Sequence, residues 1–247
     1  MGISHWVHSI RNPSPEPAAD HCLNCGAAVS SAFCPECGQS SATRIVSLRS
    51  LAVELFNGLF NYDSKLWATL IPLITRPGFL TNEYIAGRRI RYLGPLQVFL
   101  LLTALCFLVF QLTFPFGHKR VGDANQKVIL IMSVLAVAMQ ALFYLRQKRM
   151  AIEHAVFSFH FHAVADIALM SGFLLSFAIG RFVRVNPDDV INWVMGLTMP
   201  VYYFTAARAV YGQPRWLALI KTAAFIAVYT VLFVIIGRYL KRWSNGG

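Results

Sequence analysis

Four cysteines near the N-terminus are spaced to hold one metal ion. Cys22-Leu-Asn-Cys25-Gly and Cys34-Pro-Glu-Cys37-Gly repeat one CxxCG knuckle, with eight residues between Cys25 and Cys34. Two thiolates three residues apart on a tight turn can reach the same zinc ion at about 2.3 Å, and Gly26 and Gly38 let the backbone fold beneath the sulfurs. Four sulfur ligands close a tetrahedron and leave no position for water or substrate, so one structural Zn²⁺ per chain is expected. Its binding, on the order of 10 to 16 kcal/mol in small zinc-finger peptides, would fold a segment too short for a core of its own. A pair of disulfides and an iron site of the rubredoxin type are the alternatives that the spacing leaves open. Cys106 stands alone in the apolar run Phe99 to Phe110 and is expected to act as a small buried hydrophobe.

A second group with chemical capacity is Glu153, His154, His160, His162 and Asp166. Ionisable groups at membrane depth are costly, about 2.5 to 3.5 kcal/mol for an aspartate near a helix centre, so they face a bundle interior and mark function. At about 100° per residue, His162 and Asp166 share one helix face, with His154 and Ser158 on its drifting continuation. Glu153 and His160 share the opposite face, so this helix alone cannot wrap one metal with all three histidines. Three assignments stay open: hydrogen bonding that specifies packing, a metal site completed from another helix, or a proton or cation path in which Asp166 orients His162.

The elements that must position these groups are helices in lipid. Of the 247 residues 56% are hydrophobic and only 13% charged, with a positive mean hydropathy of +0.53. That is too apolar for an ordinary soluble domain. A spanning helix needs about 20 apolar residues, and runs near that length are expected at 94–116, 128–145, 155–179, 190–210 and 217–240. The fourth is diluted by Asn192, Pro200 and Arg208. The fold class is therefore an all-α polytopic membrane protein of about five transmembrane helices with a small N-terminal zinc ribbon. Residues 1–20, with Pro13, Pro15 and Pro17 and no apolar signal core, read as a disordered leader. The ribbon takes 21–43, an amphipathic or interfacial helical region 44–93, and the transmembrane domain 94–247. Within the amphipathic region Leu48, Leu51, Leu55, Leu59, Tyr62, Leu66 and Leu70 recur at helical spacing; Pro72 is expected to end or kink that helix, and Pro77-Gly78 to make a turn.

Arg88, Arg89 and Arg91 cluster ahead of the first span, as a stop-transfer flank that meets anionic lipid headgroups at about 1 kcal/mol each. The net charge of +11 is assigned to such flanks, and no nucleic-acid partner is expected. An N-terminus on the cytoplasmic side collects Arg76, the three flank arginines, Arg146, Lys148, Arg149, Arg208 and Arg215 inside, where cysteines also stay reduced. Five spans then leave Arg238, Lys241 and Arg242 outside, against the trend.

The two CxxCG knuckles, Phe60-Asn-Tyr-Asp-Ser-Lys65, Arg76-Pro-Gly-Phe79 through Glu83-Tyr-Ile-Ala-Gly-Arg-Arg89, and Glu153-His-Ala-Val-Phe157 with His160-Phe-His162 together resemble an uncharacterised family of bacterial inner-membrane proteins of unknown function carrying an N-terminal zinc ribbon. The resemblance implies architecture and bacterial origin and carries no activity. No GxSxG, HExxH or phosphate-cradling loop is present, so a hydrolase is not expected. Three function classes follow: a scaffold or accessory protein whose ribbon contacts a cytoplasmic or membrane partner, a transporter or proton path using His162 and Asp166, and a membrane metalloenzyme using Glu153, His154, His160 and His162.

Overall fold

A computed structural model describes residues 21–41, 63–113, 119–147 and 149–244. The expected leader at 1–20, the first part of the amphipathic helix with Leu48, Leu51, Leu55, Leu59 and Tyr62, and Lys148 lie outside the described residues. Among the described residues seven α-helices follow the cysteine segment: α1 (Asp63–Thr75), α2 (Phe79–Ile85), α3 (Pro95–Thr113), α4 (Lys119–Phe143), α5 (Ala151–Gly180), α6 (Pro187–Tyr211) and α7 (Arg215–Ser244). The described strand pairing is confined to two isolated bridges in the ribbon, so the body is all-helical.

Helices occupy all five segments expected to span, but three of them are long and apolar enough to cross a membrane: Pro95–Thr113, Ala151–Gly180 and Arg215–Leu240. Helix α4 starts at Lys119, well before the expected boundary, and its strongly apolar part is only Leu130–Phe143. Helix α6 is diluted by Asp188, Asp189, Asn192 and Arg208. Pro72 does not end α1, which runs on to Thr75 and stops just ahead of Pro77, where the α conformation becomes unfavourable. Pro77 has no N–H for the carbonyl of Leu73; the hydroxyl of Tyr202 donates to it instead at 2.9 Å.

Helix α5 is the axis, packing against α1, α2, α3, α4 and α6. It is apolar nearly all round and buries residues on every side, as a central helix should. Side-chain pairs fix the directions of its neighbours. Phe99 meets Phe159, Thr103 meets Asp166 and Phe110 meets Phe173, so α3 runs parallel to α5. Tyr203 meets Phe157 and Phe161 while Ile191 meets Gly172, so α6 is antiparallel. The carbonyl of Phe143 at the end of α4 accepts from Lys221 near the start of α7, so those two are antiparallel as well.

One end of the bundle thus gathers the beginnings of α3, α5 and α7 and the ends of α4 and α6. There the last-turn carbonyls of α6 are all satisfied. Arg208 O accepts from Gly212 N at 2.9 Å, Ala209 O from Asn82 Nδ2 at 3.0 Å, Val210 O from Arg149 Nη2 at 2.6 Å and Tyr211 O from Gln147 Nε2 at 2.7 Å. The turn before α2 presses on the same helix: a Cβ at Gly78, whose φ is +81°, would lie 2.8 Å from the carbonyl oxygen of Ala206.

Gly78→Ala therefore meets both a left-handed backbone and a backbone clash. It should destabilise the detergent-solubilised protein by about 1–3 kcal/mol, read as a lower unfolding temperature. Gly196→Ala is the control: its added methyl meets nothing within 4 Å and gains about 1 kcal/mol of helix propensity. Equal unfolding temperatures for Gly78→Ala and the wild type would refute the seating of α2 on α6.

Candidate functional site

The four cysteines converge. Each knuckle closes with the same backbone bonds: Cys22 N to Ala27 O and Gly26 N to Cys22 O in the first, Cys34 N to Gln39 O and Gly38 N to Cys34 O in the second. Both glycines carry the positive φ that the turn demands, 79° at Gly26 and 70° at Gly38. All four sulfurs lie within 4.8 Å of one another, with Cys22 to Cys37 at 3.6 Å and Cys25 to Cys34 at 3.5 Å. A disulfide needs about 2.05 Å, whereas the edge of a tetrahedron of sulfurs around zinc is about 3.8 Å. The spacing fits a metal ion and does not fit two disulfides.

The thiols also show why a cation belongs there. The backbone N–H of Cys25, opposed by partial burial and aided by that of Asn24, holds the Cys22 thiol down at about 7, which favours the ligating thiolate. The Ala27 N–H favours the Cys25 thiolate too, yet burial and the sulfurs of Cys34, Cys37 and Cys22 push Cys25 up to about 12. Four thiolates this close repel one another unless a cation sits between them.

The ribbon is fastened to the bundle. Gln39 Nε2 donates to the carbonyl of Gly87 at 2.7 Å, and Gln39 Oε1 accepts from the N–H of Arg89 at 3.3 Å. One amide thus pairs with the backbone on both sides of Arg88. Leu23 lies over Gly87, which has a φ of +86° and where a Cβ would be 2.5 Å from Leu23 Cδ1. The three flank arginines part company here. Arg88 pairs with Glu83 through Nε at 2.8 Å, which holds the Glu83 carboxyl below its usual range. Arg89 donates to Tyr84 O and lies 4.7 Å over the Tyr84 ring, while Arg91 is exposed.

The histidines do not converge. Among the described residues the only metal-ready group of three or more His, Cys, Asp or Glu is the cysteine cluster. Five polar side chains in the first half of α5 instead take partners on five different helices. His160 Nδ1 bonds Thr81 Oγ1 of α2 at 2.9 Å, and Asp166 Oδ2 accepts from Thr103 Oγ1 of α3 at 2.6 Å. Ser158 Oγ donates to Ser133 O of α4 at 2.9 Å, and His154 Nδ1 bonds the Tyr211 hydroxyl at the end of α6 at 2.9 Å. His162 Nδ1 lies 2.8 Å from the Ser158 carbonyl and must donate to it, so Nε2 accepts from the Tyr229 hydroxyl of α7 at 3.0 Å. Glu153 pairs with Arg149 at 3.2 Å.

His162 is therefore oriented by Ser158 and Tyr229, and Asp166 by Thr103; the Asp166–His162 bond that one of the three open assignments invoked is not made. The residues that sequence reasoning missed are the partners, Thr81, Thr103, Tyr211 and Tyr229. Of these Thr103 carried a signal, as the lone hydroxyl in the apolar run 98–110.

Residues 63–107 match a family described as a protein of unknown function, DUF3667. The matched stretch covers α1, α2 and the first part of α3, including the loop on which the ribbon rests. No curated protein and no solved structure matches the chain. The cysteine cluster lies outside the matched stretch, which is the segment joining it to the bundle.

Proposed function

We propose that this chain is a scaffold or accessory protein of the bacterial inner membrane, whose zinc ribbon is held at the cytoplasmic face of a five-span bundle and binds a protein partner there. The observation that carries this reading is the docking of the ribbon through Gln39 and Leu23 onto the Gly87–Arg89 loop. Docking by the first knuckle and Gln39 leaves Phe33, Pro35 and Glu36 of the second facing outward, with Phe33 62% exposed. A closed four-cysteine site has no position for a substrate, so its use is to build a surface. Zinc is the metal that such a ligand set favours in a reduced compartment.

Five crossings by α3 to α7 are consistent with the alternating directions of the helices. Among the described residues the ribbon end then carries Arg76, Arg88, Arg89, Arg91, Arg146, Arg149, Arg208, Arg215 and Lys221 against Glu36, exposed on the ribbon, and Glu83 and Glu153, both paired. That asymmetry supports a cytoplasmic ribbon end, where exposed Arg91 and Arg76 are placed to meet anionic headgroups. The far end holds Lys127, Arg181, Arg184, Arg238 and Arg242, with Lys119 and Arg120 at the start of α4, but also Asp123, Asp188 and Asp189.

Two outcomes test this. Purified protein should carry one zinc per chain, lost on Cys22→Ser/Cys37→Ser substitution or on deletion of residues 1–43; metal retained in the deleted chain would move the metal site into the bundle. A photo-crosslinking amino acid placed at Phe33 should capture a defined protein in cells, and Gln39→Ala should weaken that capture and expose the ribbon to protease without loss of zinc. No adduct at Phe33 in a folded, zinc-loaded protein would sink the scaffold reading.

A further inference from the structure

Asp166 is fully buried halfway along α5 and its carboxylate is only half satisfied: Oδ2 accepts from Thr103, while Oδ1 has no hydrogen-bond partner among the described residues. Neither of the two described ion pairs includes it. A carboxyl inside an apolar bundle with no cation beside it must bring a proton or an ion with it. The surroundings decide which. A hard cation wants about six oxygen ligands, and the described set of hydrogen-bond partners of Asp166 is the Thr103 hydroxyl alone. That set is too poor in oxygen for an ion and sufficient for a proton.

The route is set by an asymmetry along the helix. His154, Ser158, His162 and Asp166 recur every four residues, a polar stripe about 18 Å long that climbs from the ribbon end to the bundle centre. Two of its members are in contact, the Ser158 hydroxyl lying 3.4 Å from His162 Nδ1, and His162 bonds Tyr229 of α7 while His154, one turn nearer the ribbon end than Ser158, bonds Tyr211. At its mouth stand Glu153 and Arg149, both partly exposed. Beyond Asp166 the helix reads Ile-Ala-Leu-Met-Ser-Gly-Phe-Leu-Leu-Ser-Phe-Ala-Ile-Gly, and its two serines turn back on their own helix, Ser171 to Ile167 O and Ser176 to Phe173 O. Along α5 itself, neither serine beyond Asp166 offers its hydroxyl to a neighbouring helix.

We propose that Asp166 is an intramembrane proton site that exchanges with the ribbon side along the His154–Ser158–His162 stripe and is closed toward the far side. Around it stand Thr103 of α3, which bonds it, Cys106 three residues further along α3, His162 one turn back on its own helix, and Tyr229 of α7, which bonds His162. This stands apart from what the ribbon binds, so either proposal can fail alone.

The test is infrared spectroscopy of the full chain in lipid nanodiscs with isotopically labelled aspartate. At neutral pH a protonated-carboxyl band should be present, be lost in Asp166→Asn and be shifted in Asp166→Glu. The glutamate variant keeps the assignment secure even if the asparagine variant fails to fold. On transfer to heavy water the band should shift to its deuterated position, several-fold more slowly in Ser158→Val and at an unchanged rate in Ser171→Ala and Ser176→Ala. A folded wild type with no band responding to Asp166→Glu would overturn the proton site. Exchange slowed by the Ser171 and Ser176 changes, but not by Ser158→Val, would overturn the direction of access.

Discussion

Polar groups removed from water must find partners inside the protein, and α5 turns that constraint into the fastening of the whole bundle. Its polar side chains are spread around the helix so that α2, α3, α4, α6 and α7 each receive one hydrogen bond from it. Each such bond contributes only about 0.6 kcal/mol on average between membrane helices. Their larger effect is on specificity. Sliding or rotating a neighbour would leave a histidine, a serine or an aspartate unpaired in an apolar interior, at about 1–3 kcal/mol for each neutral group.

The same constraint explains the ribbon end. Helix α6 ends against the chain of two other segments, and these supply donors to its last carbonyls: Asn82 from one, Gln147 and Arg149 from the other. Aromatic rings fill the space between these polar ties. Tyr144 stacks on Tyr211 at 3.7 Å and Tyr203 on Phe225 at 4.2 Å, joining the ends of α4 and α6 and the middle of α7. Large flat rings with one polar edge suit this region, since the ring buries area and the hydroxyl reaches a partner such as His154.

What the sequence made legible was what depends on short spacing. The CxxCG pairs, the Pro77–Gly78 turn and the four-residue stripe on α5 are local patterns, and the structure reproduces each of them. The existence of helices in all five apolar segments was legible as well; whether each crosses was not, because α4 and α6 carry charges that only their surroundings can excuse. Helix α2 escaped notice, since seven residues are too few to show a helical period. The partners of the histidines escaped too: Thr81 and Tyr211 lie 79 and 57 residues from the side chains they bond, and nothing in their own neighbourhoods marks them. The divergence of His160 and His162 followed from helix geometry, but that Thr103 and not His162 receives Asp166 required the packing of α3 on α5.

Helix α2 is where the two halves of the molecule meet, and its small size is part of why it can do this. Within a few residues Gly78 seats against α6, Thr81 bonds His160 of the central helix, Asn82 caps α6, and the chain leaves through Gly87 and Arg89 into the grip of Gln39. A longer helix would separate these contacts by whole turns and could not hold the ribbon, α5 and the end of α6 at one point. The position of the ribbon is therefore referred directly to the core and not to a surface loop free to drift. This segment also falls within residues 63–107, the stretch that matches the family of unknown function. The part of the chain that is similar to that family is therefore the part that seats α2 against the bundle and carries the loop on which Gln39 rests.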